Sequence, residues 1–390
     1  MNIKISPAKL SGTIAAISSK SYAHRLLVSC ALADTATTVQ LNVFSQDILA
    51  AVNALKSLGA NIQTGEDSIT ITPITRVNNP TVNCGESGTV ARFLLPVAAA
   101  LGNGGTLTGE GSLLARPFAP LCGALAEHGV SCSDDKLPIT FEGKLQPGVY
   151  RLRGDQSSQY ISGLMFALPL LDGDSVIQLT TPLESSGYLD MTMSVLSEFG
   201  ITIEQNGNTY AISGNQRYKS PGSITVEGDW SNAAFWLAAG VRVSGLDEAS
   251  LQKDKTFIQL KDSTEIDASQ IPDLVPVLSV AAAARNTTTR IYNVQRLRYK
   301  ESDRIKSTAD MLTALGCKVD ILDNELLIHG GKFRGGTVHS ANDHRIVMAA
   351  AIASCFCQGD VIITDAHAVS KTYPEFFSDF NMLGGKAVVI

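Results

Sequence analysis

The segment Leu55–Gln63, LKSLGANIQ, contains the pattern that decides the fold. It reads as the end of an amphipathic helix, a glycine that stops the helix, and the start of a strand with alternating polar and apolar residues. The pattern returns as LAEHGVSCS, LSEFGITIE and LTALGCKVD, and a looser form, NMLGGKAVVI, occupies residues 381–390. The glycines that stop these helices are Gly59, Gly129, Gly200, Gly316 and Gly384.

The spacing of these glycines predicts an internal repeat. Most neighbouring pairs lie about 70 residues apart, and one longer interval leaves room for a degenerate copy, so we expect about six copies of one small β/α unit. The weakest copy is expected near LQKDKTFIQLKDSTEID, residues 251–267, which is short and polar. Between the stopped helices lie others, such as SGTVARFLLPVAAAL and PDLVPVLSVAAAA, that are apolar on nearly all sides and should be buried. The pattern predicts α/β domains with helices inside and sheets outside.

Composition limits the classes of function. The chain has 390 residues, of which 44% are hydrophobic and 17% charged, and this is typical of a globular protein of about two or three domains. A net charge of -6 provides no overall attraction to nucleic acid or to an anionic membrane. No apolar run approaches the ~20 residues of a membrane span, and MNIKISPAKL lacks a signal-peptide core, so we expect a cytoplasmic protein.

The seven cysteines are odd in number, and Cys355 and Cys357 do not have the spacing of a zinc or redox motif. We therefore expect free thiols, with no disulfide and no structural metal.

Cations recur near the starts of helices, where the helix dipole favours anions instead. The first example is SSKSYAHR, and its cations precede the apolar run LLVSCALA. Several such helix starts together indicate a ligand that carries several negative charges, because free backbone N–H groups and arginine side chains both bind phosphate and carboxylate. The cations in such positions are Lys20, Arg25, Arg92, Arg116, Lys300, Arg304, Arg345 and Lys371.

Each motif taken alone also has an ordinary structural interpretation. Asp273 in IPD is equally well placed to cap the helix that follows. Glu301 in KESDR is spaced for a surface ion pair with Arg304, and His344 in NDHR is placed as a capping or core histidine. No Walker-type phosphate loop is present. The order of the motifs along the chain is more specific than any single motif.

In that order the chain resembles the 5-enolpyruvylshikimate-3-phosphate synthase family over essentially its whole length. The motifs that carry the resemblance are SSKSYAHR, SGTVAR, RPF, GDQSSQY, SSGYLD, IPD, KESDR, NDHR and SKTYPEFF. The resemblance implies an α/β fold of two globular domains, each with three repeated βαβαββ units, buried helices and outer sheets, also described as an inside-out α/β barrel. We place residues 19–227 in one domain and residues 1–18 with 228–390 in the other, with the active site in the cleft between them.

The resemblance also implies the ligands, phosphoenolpyruvate and shikimate 3-phosphate, with no cofactor and no metal. It implies that both substrates together draw the domains closed, and we expect a monomer. The shikimate 3-phosphate pocket is expected to comprise Lys20, Ser21, Arg25, Ser157, Ser158, Gln159, Ser185, Tyr188, Asp273 and Lys300. The phosphoenolpyruvate site is expected to comprise Lys20, Gly88, Arg116, Gln159, Arg304, Arg345 and Lys371, with Arg92 behind it.

Within this scheme Asp273 is expected to take the proton of the shikimate 5-hydroxyl, and Glu301 to move the proton at C3 of phosphoenolpyruvate. Lys20 and Lys371 would stabilise charge on oxygen, and His344 would orient Glu301 or the phosphate. Two positions depart from the common family pattern: Glu86 replaces an asparagine, and Phe93 replaces a proline.

Two alternatives stay open at this level. One is the sister family, UDP-N-acetylglucosamine enolpyruvyl transferase, whose usual catalytic cysteine would fall at Gly111, whereas the nearest cysteine here is Cys122. The other is a non-catalytic anion-binding protein on the same scaffold, which would not need both Asp273 and Glu301.

Overall fold

The computed structural model describes residues 1 to 390. It divides into two compact units, which we call the continuous unit, Lys20–Val226, and the discontinuous unit, Met1–Ser19 with Glu227–Ile390. The α-helices are α1 Lys20–Leu32, α2 Gln46–Ser57, α3 Gly88–Leu101, α4 Ala119–Ala126, α5 Ser158–Ala167, α6 Ser186–Glu198, α7 Trp230–Ala238, α8 Phe257–Leu260, α9 Val275–Ala283, α10 Arg304–Ala314, α11 His344–Ala353 and α12 Phe376–Met382.

The β-strands are short, with three to five residues each. They are β1 Ile3–Ile5, β2 Thr13–Ala15, β3 Thr37–Gln40, β4 Asn61–Thr64, β5 Ser68–Thr72, β6 Thr81–Asn83, β7 Gly104–Thr108, β8 Val130–Cys132, β9 Ile139–Gly143, β10 Val149–Leu152, β11 Ser175–Leu179, β12 Ile203–Asn206, β13 Thr209–Ile212, β14 Ser223–Thr225, β15 Arg242–Ser244, β16 Glu265–Asp267, β17 Thr288–Tyr292, β18 Lys318–Ile321, β19 Glu325–His329, β20 Gly336–His339, β21 Val361–Thr364 and β22 Ala387–Val389.

The continuous unit contains three four-stranded sheets with one topology. Their strand orders are β14-β3-β5-β4, β6-β7-β9-β8 and β10-β11-β13-β12. In each sheet the first two strands are parallel and the remaining pairs are antiparallel. A parallel pair needs a crossover, and the buried helices α3 and α5 supply it between β6 and β7 and between β10 and β11, whereas β14 reaches β3 from the far end of the unit. The expected βαβαββ repeat is therefore present.

The discontinuous unit has this topology in two sheets and a shortened form of it in a third. Its four-stranded sheets have the orders β16-β17-β19-β18 and β20-β21-β1-β22, again with one parallel pair at the start. The third sheet contains only the parallel pair β2 and β15. After β15 the chain forms a 3-10 turn, Lys253–Thr256, and the short α8 before β16 begins the next copy. The abbreviated copy therefore falls where the polar segment predicted it.

Distant strands complete three of these sheets. The N-terminal β1 lies between β21 and β22, and β2 pairs with β15, so residues 1–19 belong to the discontinuous unit. In the continuous unit β14 returns to pair with β3.

The glycines that stop the helices have backbone angles that explain the repeat. Gly59, Gly129, Gly200, Gly316 and Gly384 all have φ between +74° and +105°. This left-handed region suits a residue without Cβ, so each helix ends there and the chain turns into the next strand.

The predicted apolar helices are buried. All ten residues of α11 are buried, as are eight of the nine residues of α9. Helices α3 and α5 approach closely at Gly163. Only glycine fits there, because a Cβ would collide with the backbone oxygen of Arg92. This contact places the first turn of α5 beside the Arg92 side chain. None of the helices combines the length and the apolar character that a membrane crossing would need.

Candidate active site

Polar residues cap the helices that carry the predicted site. The Ser87 hydroxyl accepts a hydrogen bond from the Val90 N–H in the first turn of α3, and the Ser157 hydroxyl accepts one from the Gln159 N–H in the first turn of α5. In the discontinuous unit, Asp303 caps α10 and Asp343 caps α11. Each cap satisfies one donor and leaves other N–H groups in the first turn, where an anion is favoured.

Lys20, at the first position of α1, forms an ion pair that the sequence did not reveal. Its ammonium lies 2.8 Å from the Asp47 carboxylate, and both side chains are mostly buried. Asp47 is in the first turn of α2, and its backbone oxygen lies 3.1 Å from His24 Nε2. Asp47 therefore fixes the position of the Lys20 ammonium.

Arg25 is only 2% exposed and connects α1 to α6. Its Nη1 donates to the Ser21 carbonyl at 2.7 Å, its Nη2 to the Tyr188 carbonyl at 2.9 Å, and its Nε to the Thr192 hydroxyl at 2.8 Å. The guanidinium also lies over the Tyr188 ring. Burial lowers the pKa of Arg25 from 12.5 to about 10, which still leaves it charged at neutral pH. Arg25 thus holds Ser21 and Tyr188, two predicted pocket residues, in place.

Arg92 and Gln159 form a second buried polar group. Arg92 Nη1 donates to Gln159 Oε1 at 2.6 Å, and Gln159 Nε2 donates to the Thr89 hydroxyl at 2.8 Å. The Arg92 guanidinium lies over the rings of Phe118 and Tyr160, with centroids at 5.5 and 5.1 Å. Aromatic faces stabilise this cation without neutralising it.

Gly88 makes room for the guanidinium of Arg116. A Cβ at Gly88 would lie 2.6 Å from Arg116 Nη1, closer than Cβ contacts occur in proteins. Glu86 lies beside this position, and its carboxylate accepts a hydrogen bond at 3.2 Å from the Ser112 N–H in the 3-10 turn that leads to Arg116. The unusual Glu86 therefore holds the turn that carries a predicted ligand-binding arginine.

The serines of the predicted shikimate 3-phosphate pocket lie at two helix starts. Ser157 caps α5, and the adjacent Ser158 is buried. Ser185 precedes α6 and is 2% exposed, with φ of 56° and ψ of 45°. A left-handed serine is uncommon, and such strained residues cluster at functional sites.

Arg304 is the centre of the predicted site in the discontinuous unit. Its guanidinium is 1% exposed and binds three carboxylates. The distances are 2.6 Å from Nη1 to Asp273, 2.5 Å from Nη2 to Glu301 and 2.7 Å from Nε to Asp343. The structure thus brings the two predicted acid–base residues to one arginine. The sequence did not predict Asp343 as a site residue, because an aspartate at that position is explained by its role as the cap of α11.

Asp273 is surrounded by positive charge. Its Oδ1 lies 3.6 Å from Lys300 Nζ and 3.5 Å from Arg345 Nε, in addition to its bond with Arg304. Burial alone would raise the pKa of Asp273, but these three cations outweigh burial and hold the pKa well below 3.8. Burial also lowers the pKa of Lys300, partly opposed by the charge of Asp273.

Lys371 and His344 lie beside this cluster. The Lys371 ammonium is 3% exposed and donates to the Asn342 carbonyl at 2.7 Å, directly before the α11 cap. The His344 ring is 1% exposed, and its Nδ1 lies 3.9 Å from Asp343. From the family resemblance we expect His344 to orient Glu301 or the phosphate, and this role stays a prediction.

Asp254 is a further buried carboxyl that sequence reasoning missed. It lies in the 3-10 turn Lys253–Thr256, accepts a hydrogen bond from the Ser231 hydroxyl and is 5% exposed. Burial and the charge of Asp273 raise its pKa from 3.8 to about 7, against the opposing effect of Arg345. The sequence contains one signal for it, a charged segment in the abbreviated repeat, but that segment by itself indicates only a degenerate copy.

No group of three or more His, Cys, Asp or Glu side chains has an arrangement that could hold a metal ion.

The predicted site residues form two sets, each within its own unit. In the first set Arg25 is held by neutral partners, and in the second Arg304 is paired with carboxylates.

The chain is similar to proteins of one known family over most of its length. The family model described as EPSP synthase (3-phosphoshikimate 1-carboxyvinyltransferase) matches residues 5–264 and 239–380. The 3-phosphoshikimate 1-carboxyvinyltransferase of Clostridium novyi is 40% identical, with 98% of each chain covered. The enzyme of that name from Clostridium kluyveri is 41% identical over 98% of this chain and 97% of its own.

Two solved structures share the fold. An EPSP synthase from Acinetobacter baumannii superposes with a TM-score of 0.82 at 23% identity over the full length of both chains. The enolpyruvyl transferase NikO from Streptomyces tendae gives a TM-score of 0.79 at 16% identity, covering 99% of this chain and 98% of its own.

Proposed function

The chain belongs to the EPSP synthase family and transfers the enolpyruvyl group of phosphoenolpyruvate to the 5-hydroxyl of shikimate 3-phosphate, and we propose that the two sets of residues described above form its active site. The observation that carries this proposal is the buried Arg304, which holds both Asp273 and Glu301 at 2.5 to 2.6 Å. An arginine bound to two candidate acid–base carboxylates is suited to proton transfer beside a bound anionic substrate.

The continuous unit is proposed to bind shikimate 3-phosphate. Hydroxyls at the starts of α5 and α6 and the ordered Ser21 and Tyr188 are suited to a phosphate and a polar ring. Lys20 supplies an ammonium held by Asp47. The proposed pocket comprises Lys20, Ser21, Arg25, Ser157, Ser158, Gln159, Ser185 and Tyr188, together with Asp273 and Lys300.

Phosphoenolpyruvate is proposed to bind to the arginines. Arg304 and Arg345 lie at the starts of α10 and α11, where the helix dipole adds to their charge. Arg116 has its space because Gly88 has no Cβ. We include Lys371 and Lys20 as the ammonium groups that stabilise charge on oxygen, with Gln159 as a neutral donor.

The reaction needs two proton movements. The 5-hydroxyl loses a proton as its oxygen attacks C2 of phosphoenolpyruvate, and C3 gains a proton, which gives a tetrahedral ketal phosphate. C3 then loses a proton as phosphate leaves, which forms the enol ether. We assign the hydroxyl proton to Asp273, with Lys300 beside it, and the C3 proton to Glu301.

The low pKa of Asp273 gives the substrate a part in activating the base. A carboxylate surrounded by three cations is a weak base, because they stabilise its charged form. Phosphoenolpyruvate brings negative charge to Arg304 and Arg345 and offsets their effect on Asp273. We propose that substrate binding thereby raises the pKa of Asp273 toward the range useful for a general base.

Exchange of Asp273 for asparagine tests this assignment. Asp273→Asn should still bind both substrates, because it removes a negative charge from an anion site, but turnover should fall by ~10²-fold or more. Phosphate release measures turnover, and isothermal titration measures binding. The matched control is Asp310→Asn, which removes an exposed carboxylate from α10. Normal turnover in a folded Asp273→Asn variant would show that another group takes the proton.

The sister reaction on UDP-N-acetylglucosamine is not favoured. The position of that family's usual cysteine is Gly111, which has φ of +53° at the start of a 3-10 turn. Cys122 lies on α4, and its thiol donates to the Asp134 carbonyl. Phosphate release with each acceptor compares the two reactions directly, and fosfomycin should leave activity intact.

Several expectations remain predictions. They are the domain boundaries at 19–227 and at 1–18 with 228–390, a monomeric state, a cytoplasmic location, and the absence of cofactor, nucleic-acid or membrane partners.

A further inference from the structure

Two loops of the continuous unit carry serines of the proposed pocket and run side by side. Strands β10 and β11 are parallel, so the loops that follow them leave the same edge of the sheet. The loop after β10 leads to Ser157 at the start of α5, and the loop after β11 leads to Ser185 at the start of α6. The Thr180 N–H donates to the Leu152 carbonyl at 2.9 Å, just beyond the end of β11. The two loops are therefore neighbours before either helix begins.

Thr181 joins the two loops through its side chain. Its hydroxyl oxygen accepts hydrogen bonds from two successive backbone N–H groups of the other loop, that of Gly154 at 2.9 Å and that of Asp155 at 3.3 Å. In the opposite direction, the Glu184 N–H donates to the Gly154 carbonyl at 3.0 Å. Three hydrogen bonds therefore hold the loops together where the strand pairing has ended.

Gly154 packs directly against the second loop. A Cβ at this position would lie 2.8 Å from the carbonyl oxygens of Thr181 and Pro182 and 3.0 Å from the Cα of Leu183. Only a residue without a side chain fits at this distance. The close approach of the two backbones brings two N–H groups within reach of one hydroxyl.

Each loop ends at a serine with a defined conformation. Ser157 has an extended backbone, and its hydroxyl accepts a hydrogen bond from the Gln159 N–H at 3.3 Å. Ser185 has left-handed backbone angles, which cost free energy in a residue with a Cβ and persist only where the surrounding structure holds them. Contacts between the loops therefore contribute to the conformation and the spacing of the two serines.

We propose that Thr181 is a positioning residue for the phosphate group of shikimate 3-phosphate, because its hydroxyl holds the two loops at the spacing at which Ser157 and Ser185 bind one phosphate. This inference rests on the proposed function, which assigns both serines to that ligand. A pocket that is ordered before its ligand arrives binds more tightly, since binding does not then have to order the loops. Thr181 acts only through the two serines and takes no part in proton transfer.

Exchange of Thr181 for valine tests the proposal, because valine has the shape of threonine without its hydroxyl. Thr181→Val removes the acceptor of the Gly154 and Asp155 N–H groups, so the loops should lose their fixed spacing. Isothermal titration without phosphoenolpyruvate should give a Kd for shikimate 3-phosphate roughly tenfold higher than that of wild type. Thr181→Ser restores the hydroxyl and should bind within about twofold of wild type.

The neighbouring threonine provides the matched control. The Thr180 hydroxyl donates to the Leu152 carbonyl at 3.3 Å, at the end of the sheet. Thr180→Val therefore removes a hydroxyl from the same loop without removing the acceptor that joins the loops, and its Kd for shikimate 3-phosphate should equal that of wild type. A tenfold loss in Thr180→Val as well would mean that any change in this loop weakens binding.

Shikimate, which lacks the phosphate, separates positioning of the serines from general damage to the pocket. Thr181→Val and wild type should bind shikimate with the same Kd, which also shows that the variant is folded. Equal losses of affinity for shikimate and shikimate 3-phosphate would overturn the link to the phosphate, and an unchanged Kd for shikimate 3-phosphate would overturn the positioning role. Wild-type protein that binds neither ligand would instead count against the proposed function.

Discussion

Arg25 in the continuous unit and Arg304 in the discontinuous unit are both buried, but they bind different kinds of partner. In the continuous unit, Arg25 donates to two backbone carbonyls and a hydroxyl and lies over the Tyr188 ring, all of which are neutral. In the discontinuous unit, Arg304 binds three carboxylates, and Arg345 lies 3.5 Å from one of them. Neutral partners leave positive charge to attract an anion, whereas carboxylates balance it.

This difference indicates that the two units have different roles in the proposed reaction. Carboxylates beside cations can gain or lose protons when a substrate changes the balance of charge, so the discontinuous unit is suited to acid–base chemistry. Carbonyls and rings do not titrate at neutral pH, so the continuous unit is suited to binding. Lys20, paired with Asp47, does not follow this pattern.

The largest expected effect is the loss of Arg304. Arg304→Met leaves the buried Asp343 and the partly exposed Asp273 and Glu301 without their shared cation, so it should destabilise the discontinuous unit by about 3–5 kcal/mol and abolish turnover. Hydrogen exchange, followed by mass spectrometry, should show the loss of protection there. The control is Lys306→Met, since Lys306 is 68% exposed on the same helix. Equal protection in Arg304→Met and wild type would mean that the carboxylates do not depend on this arginine.

The second prediction concerns Asp254 and pH. The native state raises the pKa of this carboxyl from 3.8 to about 7, so it binds the proton more tightly than the unfolded state does. Its contribution to unfolding free energy therefore falls as pH rises from about 4 to about 7, by up to about 4 kcal/mol. Asp254→Asn should remove this loss.

The measurement is the apparent melting temperature of Asp254→Asn and wild type across that pH range. The variant should gain on wild type steadily as pH rises, and Asp310→Asn should not. A constant difference between pH 4 and pH 8 would mean that Asp254 ionises normally.

The smallest of these effects belongs to the continuous unit. Gly88→Ala places a methyl group where Arg116 Nη1 now lies, so the guanidinium must move. The KM for phosphoenolpyruvate should rise roughly tenfold, with a smaller change in kcat, because the change disturbs binding and not proton transfer. Gly123→Ala is the control, since a Cβ there meets no atom within 4 Å. A fall in kcat alone would blur the proposed division between the two units.

Much of the fold could be predicted from sequence because its signals are local. Gly59 and its four counterparts mark helix ends through a backbone angle that favours glycine. The completion of sheets by β1, β2 and β14 is not local, since each pairs with a strand far away in the chain. Short strands of three residues give no signal for such a partner.

The site was predictable where residue types were unusual for their position. Cations at helix starts stood out, and the structure joins Arg304 to Asp273 and Glu301 as one group. Asp47 and Asp343 did not stand out, because an acidic residue is ordinary in the first turn or at the cap of a helix. Their roles depend on which cation the tertiary fold brings to them.

Solvent deuterium exchange at C3 of phosphoenolpyruvate tests the central claim most directly, because exchange requires protonation of the methylene carbon. The enzyme is incubated in deuterium oxide with phosphoenolpyruvate and shikimate 3-phosphate, and label in recovered phosphoenolpyruvate is followed by mass spectrometry. Glu301→Gln should bind both substrates and slow exchange by ~10²-fold or more, whereas Glu265→Gln, an exposed carboxylate of the same unit, should exchange like wild type. Undiminished exchange in Glu301→Gln would contradict the assignment of C3 proton transfer to the carboxylates around Arg304.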